Sequence, residues 1–127
     1  MLLYNAIKCP DGTLIVSRHQ HDFQMHKQKD GREYFVDGGL LYQRIGYSDN
    51  EYTNLCVYSD DPHEKIREHF EWTRHFDKDM NKLPQPDIIK LKDITDDHLI
   101  ALVDWTKDGY TEEIHKVFVD EAKYRNQ

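Results

Sequence analysis

Asp22-Phe23-Gln24-Met25-His26-Lys27-Gln28-Lys29-Asp30-Gly31-Arg32-Glu33-Tyr34-Phe35-Val36-Asp37 is the stretch whose reading decides the fold. Phe23 and Met25 alternate with polar residues before Gln28-Lys29-Asp30-Gly31, and Tyr34 and Val36 alternate after it. A period of two marks a half-buried strand, and an Asp-Gly pair supplies the positive φ of a tight hairpin turn. Two antiparallel strands, 22–27 and 32–37, are therefore predicted. Upstream, Pro10-Asp11-Gly12 separates strand-like runs at 5–8 and 13–17, and Leu14-Ile15-Val16 is β-branched and too short for a helix. Downstream, Gly38-Gly39 stops the second arm, and residues 52–58 predict one further strand.

Beyond residue 59 the pattern turns helical. Asp61-Pro62-His63-Glu64 offers an Asp N-cap, Pro at the first position and Glu to close a capping box. That helix is expected to reach Trp72, with Ile66 and Phe70 on one face. Residues 74–86 are polar, contain Pro84 and Pro86, and read as a loop. Thr95 caps a second helix, with Asp96 and Asp97 where the dipole favours carboxylates; Leu99, Leu102, Val103 and Thr106 form its stripe. Thr111 opens a third, turning Ile114, Val117, Phe118 and Ala122 inward. Strands first and helices after give an α+β fold: a small N-terminal antiparallel sheet followed by three helices packed into one core. The 127 residues fit a single domain, 1–127, with a strand-rich half (1–58) and a helical half (59–127).

Charged residues at 32% and hydrophobic residues at 38% describe a globular chain rather than a disordered one. No apolar run is long enough to cross a membrane, and the start, Met1-Leu2-Leu3-Tyr4-Asn5, lacks the basic flank of a signal peptide. Cys9 and Cys56 make no disulfide framework, so a reducing, cytosolic setting is expected. The charge is uneven. Residues 1–47 carry net +1 and residues 48–127 net −8, which together give −7. Long nucleic acid should be repelled, whereas a small anion would be received in the first half.

Two stretches there carry the densest chemistry, Ser17-Arg18-His19-Gln20-His21-Asp22-Phe23 and Val36-Asp37-Gly38-Gly39-Leu40-Leu41-Tyr42-Gln43-Arg44. A glycine pair lets backbone amides approach a phosphate; Arg18, Arg32 and Arg44 offer forked donors; Phe23, Tyr34, Tyr42 or Tyr47 can stack a base. The competing reading is a Gly-Gly turn, core aromatics and surface arginines. His19 and His21, two apart on a strand, would leave one face and could hold a metal with Asp22 or His26; equally, they could bond backbone groups at a strand end. A general acid–base pair of His19 or His21 with Asp37 would suit phosphodiester hydrolysis, but no nucleophile motif accompanies it. The ligand reading takes Arg18, His19, His21, Asp37, Gly38, Gly39, Tyr42 and Arg44 as binding residues, with no catalytic residue, metal or cofactor. It expects Arg44→Ala to abolish binding while leaving stability nearly unchanged. The acidic helices, with Trp72, Trp105 and Tyr110 as exposed anchors, could instead dock a basic protein.

At Ser17-Arg18-His19-x-His21-Asp22-Phe23, Val36-Asp37-Gly38-Gly39-x-x-Tyr42-x-Arg44 and residues 57–68, the chain resembles a family of small tailed-bacteriophage proteins. The likeness runs from about Asn5 to the end. Two close cysteine pairs in those relatives imply a zinc ribbon; here Cys9-Pro10-Asp11-Gly12 and Met25-His26-Lys27-Gln28 stand at those places, so four thiolates are not available. The resemblance implies a phage-encoded accessory protein acting against host defences in the cytoplasm of the infected bacterium. On this reading it sequesters a small anionic, nucleotide-like ligand without catalysis, with a homo-oligomer shaping the pocket. Inhibition of a host protein by direct contact is the second reading and a small hydrolase the third.

Overall fold

β1 (Leu2–Lys8) and β2 (Leu14–Ser17) form the first hairpin, with Asn5 opposite Ser17 and Lys8 opposite Leu14. β3 (Gln24–Lys27) and β4 (Glu33–Asp37) form the second, with Gln24 opposite Val36 and Lys27 opposite Glu33. One turn chemistry closes both. The Cys9 amide donates to the Thr13 carbonyl and the Gln28 amide to that of Arg32, leaving three-residue loops that end in Gly12 and Gly31 at φ 94° and 91°. In each loop an aspartate oxygen accepts the amide two residues on, Asp11 from Thr13 and Asp30 from Arg32.

The computed structural model describes residues 1–47 and 49–126, with the backbone alone at Tyr47. It divides into two compact units, Met1–Asp60 and Asp61–Gln127. In the first unit β1 lies between β2 and a broken strand made of β6 (Thr53–Asn54) and β7 (Val57–Tyr58). The sequence reads 52–58 as one strand. It is interrupted because Asn54 Oδ1 accepts the Cys56 amide at 2.9 Å, a local bond that competes with the ladder. A second sheet orders β3, β4 and β5 (Arg44–Tyr47). The expected single N-terminal sheet is thus two. Ile7, Cys9, Ile15, Tyr34 and Val36 are buried together, with Ile45 and Tyr52 packed on them, so one face of β4 joins β1 and β2 in a core. Each such aliphatic side chain contributes roughly 1.5–3 kcal/mol by leaving water.

The hairpin tips are tied to each other. The Asp11 amide donates to Gln28 Oε1 at 2.9 Å, and His26 Nε2–H donates to Asp11 Oδ2 at 2.7 Å. The His26 hydrogen bond, helped by the Thr13 amide, holds the Asp11 carboxyl down at about 2 from its ordinary 3.8. A lowered folded value stabilises above the unfolded one, so this contribution is present above 3.8 and is lost as pH falls through about 2. Carboxyl-carbon NMR should give a midpoint near 2 for Asp11, rising towards 3.8 in His26→Ala; an unchanged midpoint would assign the shift to the turn alone.

The second unit mixes both element types. α1 (His63–His69) is followed by β8 (Glu71–Phe76), β9 (Lys82–Lys90), a 3-10 turn at Leu91–Asp93, α2 (Asp96–Trp105) and α3 (Glu112–Arg125). The molecule is therefore α+β with antiparallel strands and three α-helices among the described residues. The helical half carries a β-ribbon that the sequence reads as the end of a helix plus a loop. α1 stops at His69 because Phe70, at ψ 132°, already runs extended. Pro84 and Pro86 are tolerated in β9 because they fall inside a register shift between the Arg74–Asp87 and Phe76–Lys82 pairs, in a ribbon whose strands are both edges. At the N-terminus of α1, Pro62 occupies the cap position with no side-chain cap bond, and Asp61 lies 3.6 Å from Lys65 instead. Thr95 and Thr111 cap α2 and α3 as expected, accepting the amides of His98 and Ile114.

Phe70, Trp72 and Phe118 meet edge to face at 5.8 and 5.4 Å, setting the ribbon against α3. Beside Ile114, Val117 and Phe118, α3 buries Glu121, while the expected Ala122 is only half-buried. Glu121 Oε1 accepts from Arg67 Nε and His63 Nε2 at 2.9 Å; its Oε2 accepts from Arg67 Nη2 at 2.9 Å and Arg125 Nε at 2.8 Å. Burial alone would raise this carboxyl, but hydrogen bonds from Arg67, Arg125 and His63 hold it below its ordinary value. No helix among the described residues is long and apolar enough to cross a membrane.

Candidate ligand-binding site

Residues 18–23 form the turn between β2 and β3, not a strand. The Asp22 amide donates to the His19 carbonyl and the Phe23 amide to that of His21, while His21 itself sits at φ 65°. The same-face argument for His19 and His21 therefore fails. Asp22 organises the turn: its Oδ2 accepts the Arg18 amide at 2.7 Å, its Oδ1 accepts from Gln24 Nε2, and its carbonyl accepts from Ser17 Oγ at 2.7 Å. The exposed His19 ring lies 3.2 Å from the Gln20 carbonyl and 4.0 Å from Asp22. Among the described residues no three His, Cys, Asp or Glu side chains stand close enough to hold a metal ion.

The second stretch packs against the first. Gly39 donates its amide to Ser17 Oγ at 2.8 Å, and a methyl group at Gly39 would collide with the backbone of His19. At Gly38 a methyl would strike the carbonyl and ring of Tyr42. The glycine pair is buried and makes a close backbone contact; the Gly39 amide is spent on Ser17 rather than offered to a phosphate. That corrects the cradle reading for the Gly39 amide. Asn5, 0% exposed on β1, binds the whole loop: its Nδ2 donates to the carbonyls of Asp37, Gly39 and Tyr42 at 3.1, 3.0 and 3.2 Å. Cys56 Sγ lies 3.5 Å from Asn5 Oδ1 and takes a bond from Gln43 Nε2.

Asp37 and Arg44 face each other across β4 and β5, with Arg44 Nη2 donating to Asp37 Oδ2 at 3.0 Å. The Asp37 side chain is 7% exposed and that of Arg44 61%. Asp37 Oδ1 is buried without a hydrogen-bond donor among the described residues. The Arg44 guanidinium lies 5.4 Å from the Phe35 ring centroid, and Phe23 stacks on Phe35 at 4.8 Å. Phe35 can lie flat because it crosses Gly46, where a side chain would meet its ring. Phe23 and Met25 are exposed beside it.

The two predicted stretches thus come together, but through their backbones, and the shelf Phe23–Phe35–Arg44 replaces the glycine cradle as the place a ligand could lie. Arg18, His19, His21 and Tyr42 are exposed. Tyr34 is buried and donates to Asp49, so it is not a stacking platform; the side chain of Tyr47 lies outside the described residues. Arg32 is engaged by Asp30, Asp49 and Glu51. A His–Asp37 catalytic pair is not formed, since Asp37 faces Arg44. Burial, with Asp11 nearby, pushes the Cys9 thiol up and away from a reactive thiolate. Sequence reading missed Asn5, Ser17, Phe35 and Gly46. No strand is predicted at 44–47, so the Phe35/Gly46 pairing goes unseen together with β5. Comparison with protein-family models, curated proteins and solved structures finds no match to this chain.

Proposed function

We propose that this protein binds a small anionic ligand carrying a planar ring, of nucleotide type, and holds it without chemistry. The ring lies on Phe23 and Phe35 beside the Arg44 guanidinium; its polar edge meets Arg44; its phosphate is drawn by Arg18, His19 and His21. The observation that carries this reading is the aromatic–guanidinium shelf beside a buried carboxylate oxygen that has no donor among the described residues. The near-neutral charge of residues 1–47 supports it, because an anion would meet repulsion elsewhere. Following the sequence resemblance, we place this sequestration in the cytoplasm of a phage-infected bacterium, where it removes a nucleotide signal of the host defence.

Calorimetric titration with a panel of linear and cyclic nucleotides tests the proposal, followed by heating and chromatography of the released ligand. Saturable binding with intact release is expected. Phe23→Ala should weaken it by about 1–3 kcal/mol, the usual worth of one base–aromatic stack. Arg44→Ala is a poorer probe than the sequence suggests. It strands the buried Asp37 and should itself cost about 1–3 kcal/mol of stability. No heat with any nucleotide would overturn the proposal, and an altered ligand would replace storage by hydrolysis.

A further inference from the structure

We infer that the outer face of α2 and the turn after it form a docking site for a basic segment of another protein. Trp105 and Ile100 are each 66% exposed and Tyr110 44%. Trp105 and Tyr110 touch, and an exposed aromatic pair rimmed by charge has the usual composition of a binding hot spot. Trp72, expected as a third anchor, is half-buried against Phe118 and belongs to the interior.

The indole of Trp105 is held rather than loose. Phe118, Trp72 and Tyr110 run outward as a row, with ring separations of 5.4 and 6.0 Å, and Trp105 Nε1–H donates to the Tyr110 hydroxyl at 3.3 Å. An anchor fixed before contact loses little freedom on binding. Helical spacing sets Asp97, Ile100 and Asp104 on one line and Asp97, Ala101 and Trp105 on the next.

Charge selects the partner. Between residues 93 and 113 seven carboxylates stand against one lysine, Lys107, whose ammonium reaches Asp104 at 3.2 Å. Asp97, Asp104, Asp108, Glu112 and Glu113 are exposed around the apolar centre. Nucleic acid and anionic lipid are repelled by such a rim, and a like face of a second copy carries the same sign. A segment with lysine or arginine flanking an apolar side chain satisfies both the centre and the rim. This site lies in the helical unit and makes no use of the aromatic shelf of the strand-rich one.

The test is an NMR titration of the full chain with a synthetic peptide alternating lysine and leucine, beside a lysine-only peptide of equal charge. The alternating peptide should shift the Trp105 indole N–H before that of Trp72 and bind more tightly than the lysine-only one. Trp105→Ala should weaken binding about tenfold or more while leaving the melting temperature unchanged, since the side chain is exposed. Asp97→Lys with Asp104→Lys should weaken it too and flatten its salt dependence. Equal binding by Trp105→Ala, or a Trp105 signal that does not move, would overturn the inference. So would a dimer of the parent chain that Trp105→Ala disperses, because the face would then belong to a second copy.

Discussion

Glu121→Ala should lower the stability of the helical unit by about 3–5 kcal/mol, enough to leave a unit of this size largely unfolded at ambient temperature. The carboxylate is 0% exposed and is the shared partner of Arg67, Arg125 and His63, on α1 and α3. Removing it leaves the Arg67 guanidinium, 19% exposed, without its carboxylate partner and Arg125 with the carboxylate of Asp96 alone. The Arg67 guanidinium also lies 4.3 Å from the Tyr124 ring centroid, so its displacement loosens the end of α3. Urea unfolding followed by circular dichroism measures the loss. A fall below about 1 kcal/mol, the scale of an exposed pair, would mean that the two arginines find other carboxylates. The pH dependence has a fixed sign. Because the folded carboxyl is lowered from 4.5, the stabilisation is full above that value and disappears as acid protonates the folded form.

Asn5→Ala should cost the strand-rich unit about 2–4 kcal/mol, because two buried carbonyls and one partly buried carbonyl lose their shared donor together. Asn5 Nδ2 reaches Asp37, Gly39 and Tyr42, so a single side chain of β1 sets the path of the whole 37–42 turn. Asn5→Asp should be worse than alanine, since it sets a carboxylate against the same three oxygens. Thermal unfolding ranks the two. If alanine were the more damaging, packing volume rather than donation would be the function of Asn5. Either change should also free the Gly39–Ser17 contact, which amide exchange at Gly39 would report.

The two hairpins were legible because Asp-Gly at 11–12 and 30–31 imposes a local geometry that no distant contact has to supply. Helix caps at Thr95 and Thr111 were legible for the same reason. What escaped was decided at long range. Gly38-Gly39 reads alike whether a phosphate or the chain's own backbone comes close, and only the fold shows that His19 and Tyr42 do. Asn5 carries no local pattern on a strand, although its partners lie more than thirty residues away. Glu121 looks like one more polar position of an acidic helix until Arg67 is brought over from α1. β8 was hidden by the stripe of Ile66 and Phe70 running into it, and β9 by two prolines that a central strand would not accept.

The knot at Asp11, Gln28 and His26 holds two loop tips with nothing but amide, carboxylate and imidazole groups. A fastening of that kind yields to acid, because a proton on the carboxylate takes away the acceptor that His26 serves.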